Sequence, residues 1–267
     1  MSETYNRDNN SNFKDFLPEP IPIAEQIWNE HTPPLVSISC ITYNHENYIR
    51  EAIEGFLMQE TTFPVEILIH DDASTDNTAN IIREYEIKYP SLIKPIYQTE
   101  NQYSKQDGTI GRIQIERTKG KYYATCEGDD YWDNHHKLQI QVDFLEKNPK
   151  YCLVYTNYRK FLQGRKIFKT RRNYQINNIE DLLIQNNIGT LTICLRLQLL
   201  KDYYNTIYKE LPPLSMGDYP KWLYLSTRGK FKYIDQFCAV YRVLPNSASH
   251  SMNENRIIRF NEDIQKC

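Results

Sequence analysis

The sequence predicts an α/β fold, with a mixed but mainly parallel sheet and helices on both of its faces. Two observations carry this. Apolar, β-branched runs alternate with amphipathic helical segments through the first half of the chain, joined by short links, which is the pattern of parallel βαβ units. Several of those runs end in polar or acidic residues, as strands do when their carboxyl ends open onto a cleft.

Residues 1–34 are polar and proline-punctuated, and they read as an extended arm carrying Phe13, Phe16, Leu17, Ile27 and Trp28. The main domain is expected over 35–250. Its first strand is Val36 to Tyr43, after which Asn44 can cap a helix whose apolar face is Ile49, Ala52, Ile53, Phe56 and Leu57. A second strand, Val65 to His70, runs into Asp71-Asp72, and the next helix turns Ile81, Ile82 and Tyr85 inward. A short helix near Ile110 to Thr118, with Gly120 as its stop, leads to an apolar strand that enters Glu127-Gly128-Asp129-Asp130-Tyr131-Trp132.

A helix with Leu138, Val142 and Leu145 inward then ends at Asn148-Pro149, and residues 152–161 form a strand that turns at Gly164 and returns through Ile167-Phe168. Ile179 to Ile184 reads as a short helix, Leu191 to Leu195 as a strand and Leu197 to Leu211 as a helix. Pro220 can start the helix that follows Asp218, and Phe231 to Val243 is a long strand. Residues 251–267 form a helical tail.

Among 267 residues, 32 Lys and Arg nearly balance 34 Asp and Glu, so nothing recommends nucleic acid as a partner. The basic run Lys166, Lys169, Arg171 and Arg172 suits a solvated hairpin face. The six cysteines are scattered without a Cys-x-x-Cys, the pattern of buried thiols in a reducing compartment. No charged-then-apolar leader opens the sequence and no run is long enough to cross a bilayer, so a cytoplasmic location is expected, with room for peripheral association at the inner face of a membrane.

The acids are the chemistry-bearing feature. Glu127, Asp129 and Asp130 at one strand end repel one another unless a cation, a hydroxyl or a backbone amide answers them, and hard divalent cations take oxygen ligands of this kind. A turn with solvated acids accounts for the same residues. Asp218, just ahead of a helix, reads first as an N-cap. Three strand ends, at Thr42-Tyr43-Asn44, Asp71-Asp72 and Glu127 to Asp130, would meet at one edge of a parallel sheet.

Four stretches in this order resemble the family 2 glycosyltransferases, whose Rossmann-like sheet is the A-type nucleotide-diphospho-sugar fold: Val36 to Asn44, His70 to Thr78, Glu127 to Trp132, and Gly217-Asp218-Tyr219. Bacterial members that decorate cell-surface polysaccharides are the most similar in pattern. The resemblance implies that Thr42, Tyr43, Asp71 and Asp72 hold the nucleotide of a donor, UDP being favoured, and that Glu127 and Asp129 belong to the same donor site. It implies Asp130 as a ligand of Mn²⁺ or Mg²⁺, with His250 as a further metal or diphosphate contact, and Asp218 as the base that deprotonates a hydroxyl of a glycan or lipid-linked acceptor. Tyr131 and Trp132 can line a sugar subsite or pack the sheet edge. The chain departs from the family with Glu127 where an Asp is usual, and with Gly217 where a Glu usually precedes the base.

The reaction implied is a single displacement that inverts the anomeric centre. A catalytically inactive nucleotide-sugar or carbohydrate-binding module is the alternative, kept open by Gly217. A sugar nucleotidyltransferase is disfavoured because Tyr43-Asn44-His45 stands where its Gly-rich phosphate loop would be, and no Gly-x-Gly-x-x-Gly supports a dinucleotide dehydrogenase.

Overall fold

The computed structural model describes residues 17–29, 31–105, 107–170, 172–211 and 217–244. Its elements begin with β1 (Ile21–Pro22), β2 (Val36–Thr42), α1 (Ile49–Leu57), β3 (Glu60–Thr61), β4 (Val65–Asp71), α2 (Thr78–Lys88), β5 (Ile93–Tyr97), α3 (Thr109–Arg117) and β6 (Tyr122–Thr125). They continue with β7 (Tyr131–Trp132), α4 (Lys137–Lys147), β8 (Tyr151–Leu162), β9 (Ile167–Thr170), α5 (Ile179–Ile184), β10 (Cys194–Arg196), α6 (Leu197–Asn205), α7 (Tyr219–Ser226) and β11 (Lys230–Val243).

One sheet runs in the order β5-β4-β2-β6-β10-β8-β11-β7, with β9 paired to β8. Strands β5, β4, β2 and β6 are mutually parallel, the expected βαβ half. Beyond them β10 is antiparallel to both β6 and β8, β11 is parallel to β8, and β7 is antiparallel to β11. The sheet is therefore mixed, as the fold class requires. Every residue of β4 is buried, which is why Val65 to Ile69 reads as a nearly continuous apolar run. The predicted face of α1 is buried in full, with Phe56 inaccessible and its ring 5.0 Å from Trp132. Two apolar clusters sandwich the sheet, one around α1, α2 and α4, the other around α6 and α7.

Several local expectations are corrected. Asn44 is not the cap of α1: it adopts a left-handed φ of 55°, and Tyr48 holds the cap position. Gly120 does not terminate α3, whose cap is Thr118; a Cβ on Gly120 would stand 2.6 Å from the Ser37 nitrogen, so glycine is needed for the chain to pass β2. Leu191 lies in a 3₁₀ turn, and the strand begins only at Cys194. Part of the arm packs on the domain, since β1 pairs with β3 and Ile23 is buried in the main core. His250 and residues 251–267 lie outside the described residues.

Candidate active site

The parallel strands end on one side, and their loops are laced together there. The Asn44 side-chain oxygen accepts the Thr75 N–H at 2.8 Å, while the Asn44 N–H donates to Ser74 Oγ at 2.9 Å. Next to them, the N–H of His45 donates to Thr78 Oγ1, that of Glu46 to Asp76, and that of Asn77 to Glu46. The left-handed Asn44 turn makes this lacing possible, because it returns the chain against the loop after β4.

Among the residues expected at the nucleotide end, Tyr43 alone is exposed, at 42%. Thr42 is buried with its hydroxyl 3.1 Å from His45 Nδ1, and Asp71 is buried accepting the Ser74 hydroxyl. Asp72 is also buried, and its two oxygens accept the N–H groups of Gln102 and Tyr103 at 2.8 and 2.9 Å. Thr42, Asp71 and Asp72 thus lie buried at the ends of β2 and β4, where Asp72 also anchors the loop after β5. Desolvation lowers the pKa of His45, against the pull of Asp129, Asp76 and Asp71, which favours a neutral imidazole beside the acids.

The acid loop continues the pairing of β2 beyond β6, through Cys126 N–H to Ser39 O and Gly128 N–H to Ile41 O. Gly128 lies so close to the end of β2 that a Cβ would stand 2.5 Å from Thr42 Oγ1. This approach gathers Glu127, Asp129 and Asp130, one oxygen of each lying within 4.8 Å of the others. Asp130 is the buried member, and its Oδ1 accepts the Arg242 N–H at 2.7 Å. Glu127 opens to the cleft but is ringed by protein; that desolvation, then repulsion from Asp129 and Asp218, raises its pKa to about 8. Burial, then Asp129, pushes the Asp130 carboxyl well above the usual range. Acids that resist ionisation when crowded gain most from a cation, so the donor set fits a hard divalent metal.

Asp218 does occupy the N-cap position of α7, yet its side chain makes no cap hydrogen bond. Its Oδ2 instead accepts the Thr190 hydroxyl. Thr190 also lines a cavity of about 130 Å³ whose other walls are Glu127, Asp130, Tyr158, Ile188, Gly189, Leu191 and Tyr241. Asp218 therefore borders the same cleft as the acid loop, and its charge reaches Glu127. The 188–191 segment escaped the sequence reading because no motif marks it.

Tyr131 is half-buried, with the Arg242 guanidinium 4.8 Å above its ring, and that guanidinium also pairs with Glu51. Trp132 is corrected: it is 1% exposed, packs on Phe56, and donates its indole N–H to the Leu191 carbonyl at 2.8 Å, so it cannot face a sugar. It is the internal link between the acid loop and the segment carrying Thr190.

With that geometry in place, the family model "Glycosyl transferase family 2" matches residues 37–204. Uncharacterized protein Rv1520 of Mycobacterium tuberculosis is 35% identical over 233 residues, 83% of this chain and 62% of its own length. The Escherichia coli UDP-Glc:alpha-D-GlcNAc-diphosphoundecaprenol beta-1,3-glucosyltransferase WfaP is 29% identical over 218 residues, covering 80% of each chain. The crystal structure of S. aureus TarS 1-349 in complex with UDP-GlcNAc superposes with a TM-score of 0.63 at 20% identity, over 82% of this chain and 61% of that one. The chain thus spans less than two thirds of the length of the mycobacterial relative and of the TarS structure.

Proposed function

The chain belongs to glycosyl transferase family 2, and we propose that it moves a sugar from a UDP-sugar donor to a hydroxyl of a glycan or lipid-linked acceptor, inverting the anomeric centre. The observation that carries this reading is one small cavity walled by Glu127 and Asp130 of the acid cluster and by Thr190, whose hydroxyl holds the separate carboxylate of Asp218. The donor and acceptor classes are supported by the UDP-GlcNAc held by the TarS structure and by the UDP-Glc donor and diphosphoundecaprenol-linked acceptor in the name of WfaP. No helix among the described residues is long and apolar enough to cross a membrane, and we place the reaction in the cytoplasm, at the inner membrane face when the acceptor is lipid-linked.

Each residue has a distinct task. Tyr43, exposed at the cleft mouth, offers a ring on which a base can stack, and the laced loops beneath hold it. Asp130 with Asp129, and His250 from beyond the described residues, would hold Mn²⁺ or Mg²⁺, which supplies charge stabilisation to the departing diphosphate. Glu127 keeps its proton near neutrality until a cation arrives, and in that form can donate a hydrogen bond to a donor hydroxyl. The Thr190 hydroxyl occupies Asp218 Oδ2, which leaves Oδ1 to take the acceptor proton as the new bond forms.

The experiment is incubation with UDP-sugars and Mn²⁺, with and without acceptor pools, while UDP release is followed. Turnover that Asp218→Asn abolishes supports the proposal. Donor binding with no release under any acceptor would instead assign a non-catalytic binding module.

A further inference from the structure

One cation beside Asp218 has no task in the scheme above. Lys221 stands one turn after Asp218 in α7, and among the described residues its ammonium makes no hydrogen bond and no ion pair. Its surroundings are the Tyr204 ring, 5.9 Å away, together with Tyr123 and the charge of Asp218. Desolvation works against this ammonium, but Tyr204, Tyr123 and Asp218 hold its pKa above the ordinary lysine value, so it stays charged.

Its placement depends on the residue that departs from the family pattern. A Cβ on Gly217 would find a single atom within range, Lys221 Nζ at 4.0 Å. Among the described residues no side chain therefore covers the ammonium from that side, and a carboxylate at 217 would pair with it. Two cations act on different acids of the cluster: the one acting on Asp130 is Arg242, whereas the one acting on Glu127 is Lys221. Arg242 lies with Asp130, the acid assigned to the metal, and Lys221 with Asp218, the base of the proposed reaction. An ammonium that makes no hydrogen bond among the described residues keeps its three donors for an anion.

We propose that Lys221 recognises a carboxylate carried by one of the two sugars, so that the substrate class includes a uronic acid, as the transferred residue or at the acceptor terminus. This rests on the glycosyl-transfer reading. It also gives the Gly217 departure a meaning, since the missing side chain leaves the ammonium free for substrate.

The test uses the full chain with Mn²⁺. One arm titrates UDP, UDP-glucose and UDP-glucuronic acid, which differ only in the sugar and its carboxylate. The other arm measures transfer from UDP-GlcNAc to acceptors ending in a neutral sugar or in a uronic acid. Wild type should favour the carboxylate-bearing ligand in one arm by about tenfold or more, the range of a charge-assisted hydrogen bond. The arm that responds identifies the sugar. Lys221→Met should erase the preference, and so should Gly217→Glu, which keeps the lysine but supplies it with an internal partner.

Equal weakening of UDP and all UDP-sugars by Lys221→Met would overturn the proposal, assigning Lys221 to the diphosphate. Absence of any carboxylate preference in both arms would overturn it as well. Failure of the wild type to bind UDP at all would instead remove the donor-site reading, and this inference with it.

Discussion

The raised pKa of Glu127 gives a quantitative expectation for cation binding. With a value of about 8, the carboxyl is roughly nine-tenths protonated at pH 7, and Asp130 is pushed upward too, so occupation of the acid cluster must expel at least one proton. Affinity for Mn²⁺ should therefore rise by about tenfold or more per pH unit between about pH 6 and 8, with a break where Glu127 finishes ionising. Isothermal titration of Mn²⁺ in buffers of different ionisation enthalpy counts the protons directly. Asp218→Asn removes one of the charges that raise Glu127, so its break should come at lower pH.

The stability of the metal-free protein follows the same linkage. A carboxyl whose folded pKa is raised stabilises the fold only while protonated. That contribution is complete below the ordinary carboxylate range and is lost as pH climbs through about 8. The metal-free Tm should fall across that window, and saturating Mn²⁺ should cancel the fall. A pH-independent Kd with no proton release between pH 6 and 8 would refute this account of the acid cluster.

Other outcomes follow from the same geometry. Asp218→Asn should lower transfer by about 10²- to 10⁴-fold with UDP affinity retained, in a coupled UDP-release assay compared with direct titration. Thr190→Val should reduce kcat more than KM, because it frees the base to reorient without touching the acid loop. Gly128→Ala forces a Cβ to 2.5 Å from Thr42 Oγ1 and should cost donor and metal affinity together, measured against an unchanged far-ultraviolet circular dichroism spectrum. Trp132→Ala should destabilise the protein by about 3–5 kcal/mol in urea unfolding, as expected for emptying a core aromatic site.

The parallel half of the fold was legible in the sequence because each of its signals is local. Val36 to Thr42 and Val65 to Asp71 are apolar runs with acids or turn residues at their ends, and α1 shows its buried face as a simple period. The acid cluster was readable for the same reason, since Glu127, Asp129 and Asp130 lie within four consecutive residues. The far half of the sheet was not readable as an arrangement. Whether β10 falls between β6 and β8 depends on pairings across tens of residues, which no local pattern encodes.

Side-chain orientation was the other loss. Trp132 and Tyr131 look equivalent in sequence, yet alternation along β7 sends one into the core and leaves the other at the cleft. The loop that claims both Asp72 oxygens, at Gln102 and Tyr103, was likewise unreadable because it has no motif. Thr190 and Lys221 were invisible for a related reason: each matters only through a neighbour distant in the chain or newly exposed by a glycine.

The laced loops after β2 and β4 place the protein's rigidity at one end of the cleft. Five backbone N–H groups there are already spoken for by the opposite loop before any ligand arrives. A mould set in advance asks little ordering of its occupant and accepts few shapes. The nucleotide end should thus resist redesign, whereas the 188–191 segment and the start of α7 form a separable rim. Exchanging that rim between relatives should change which sugars are joined while leaving the carrier nucleotide the same.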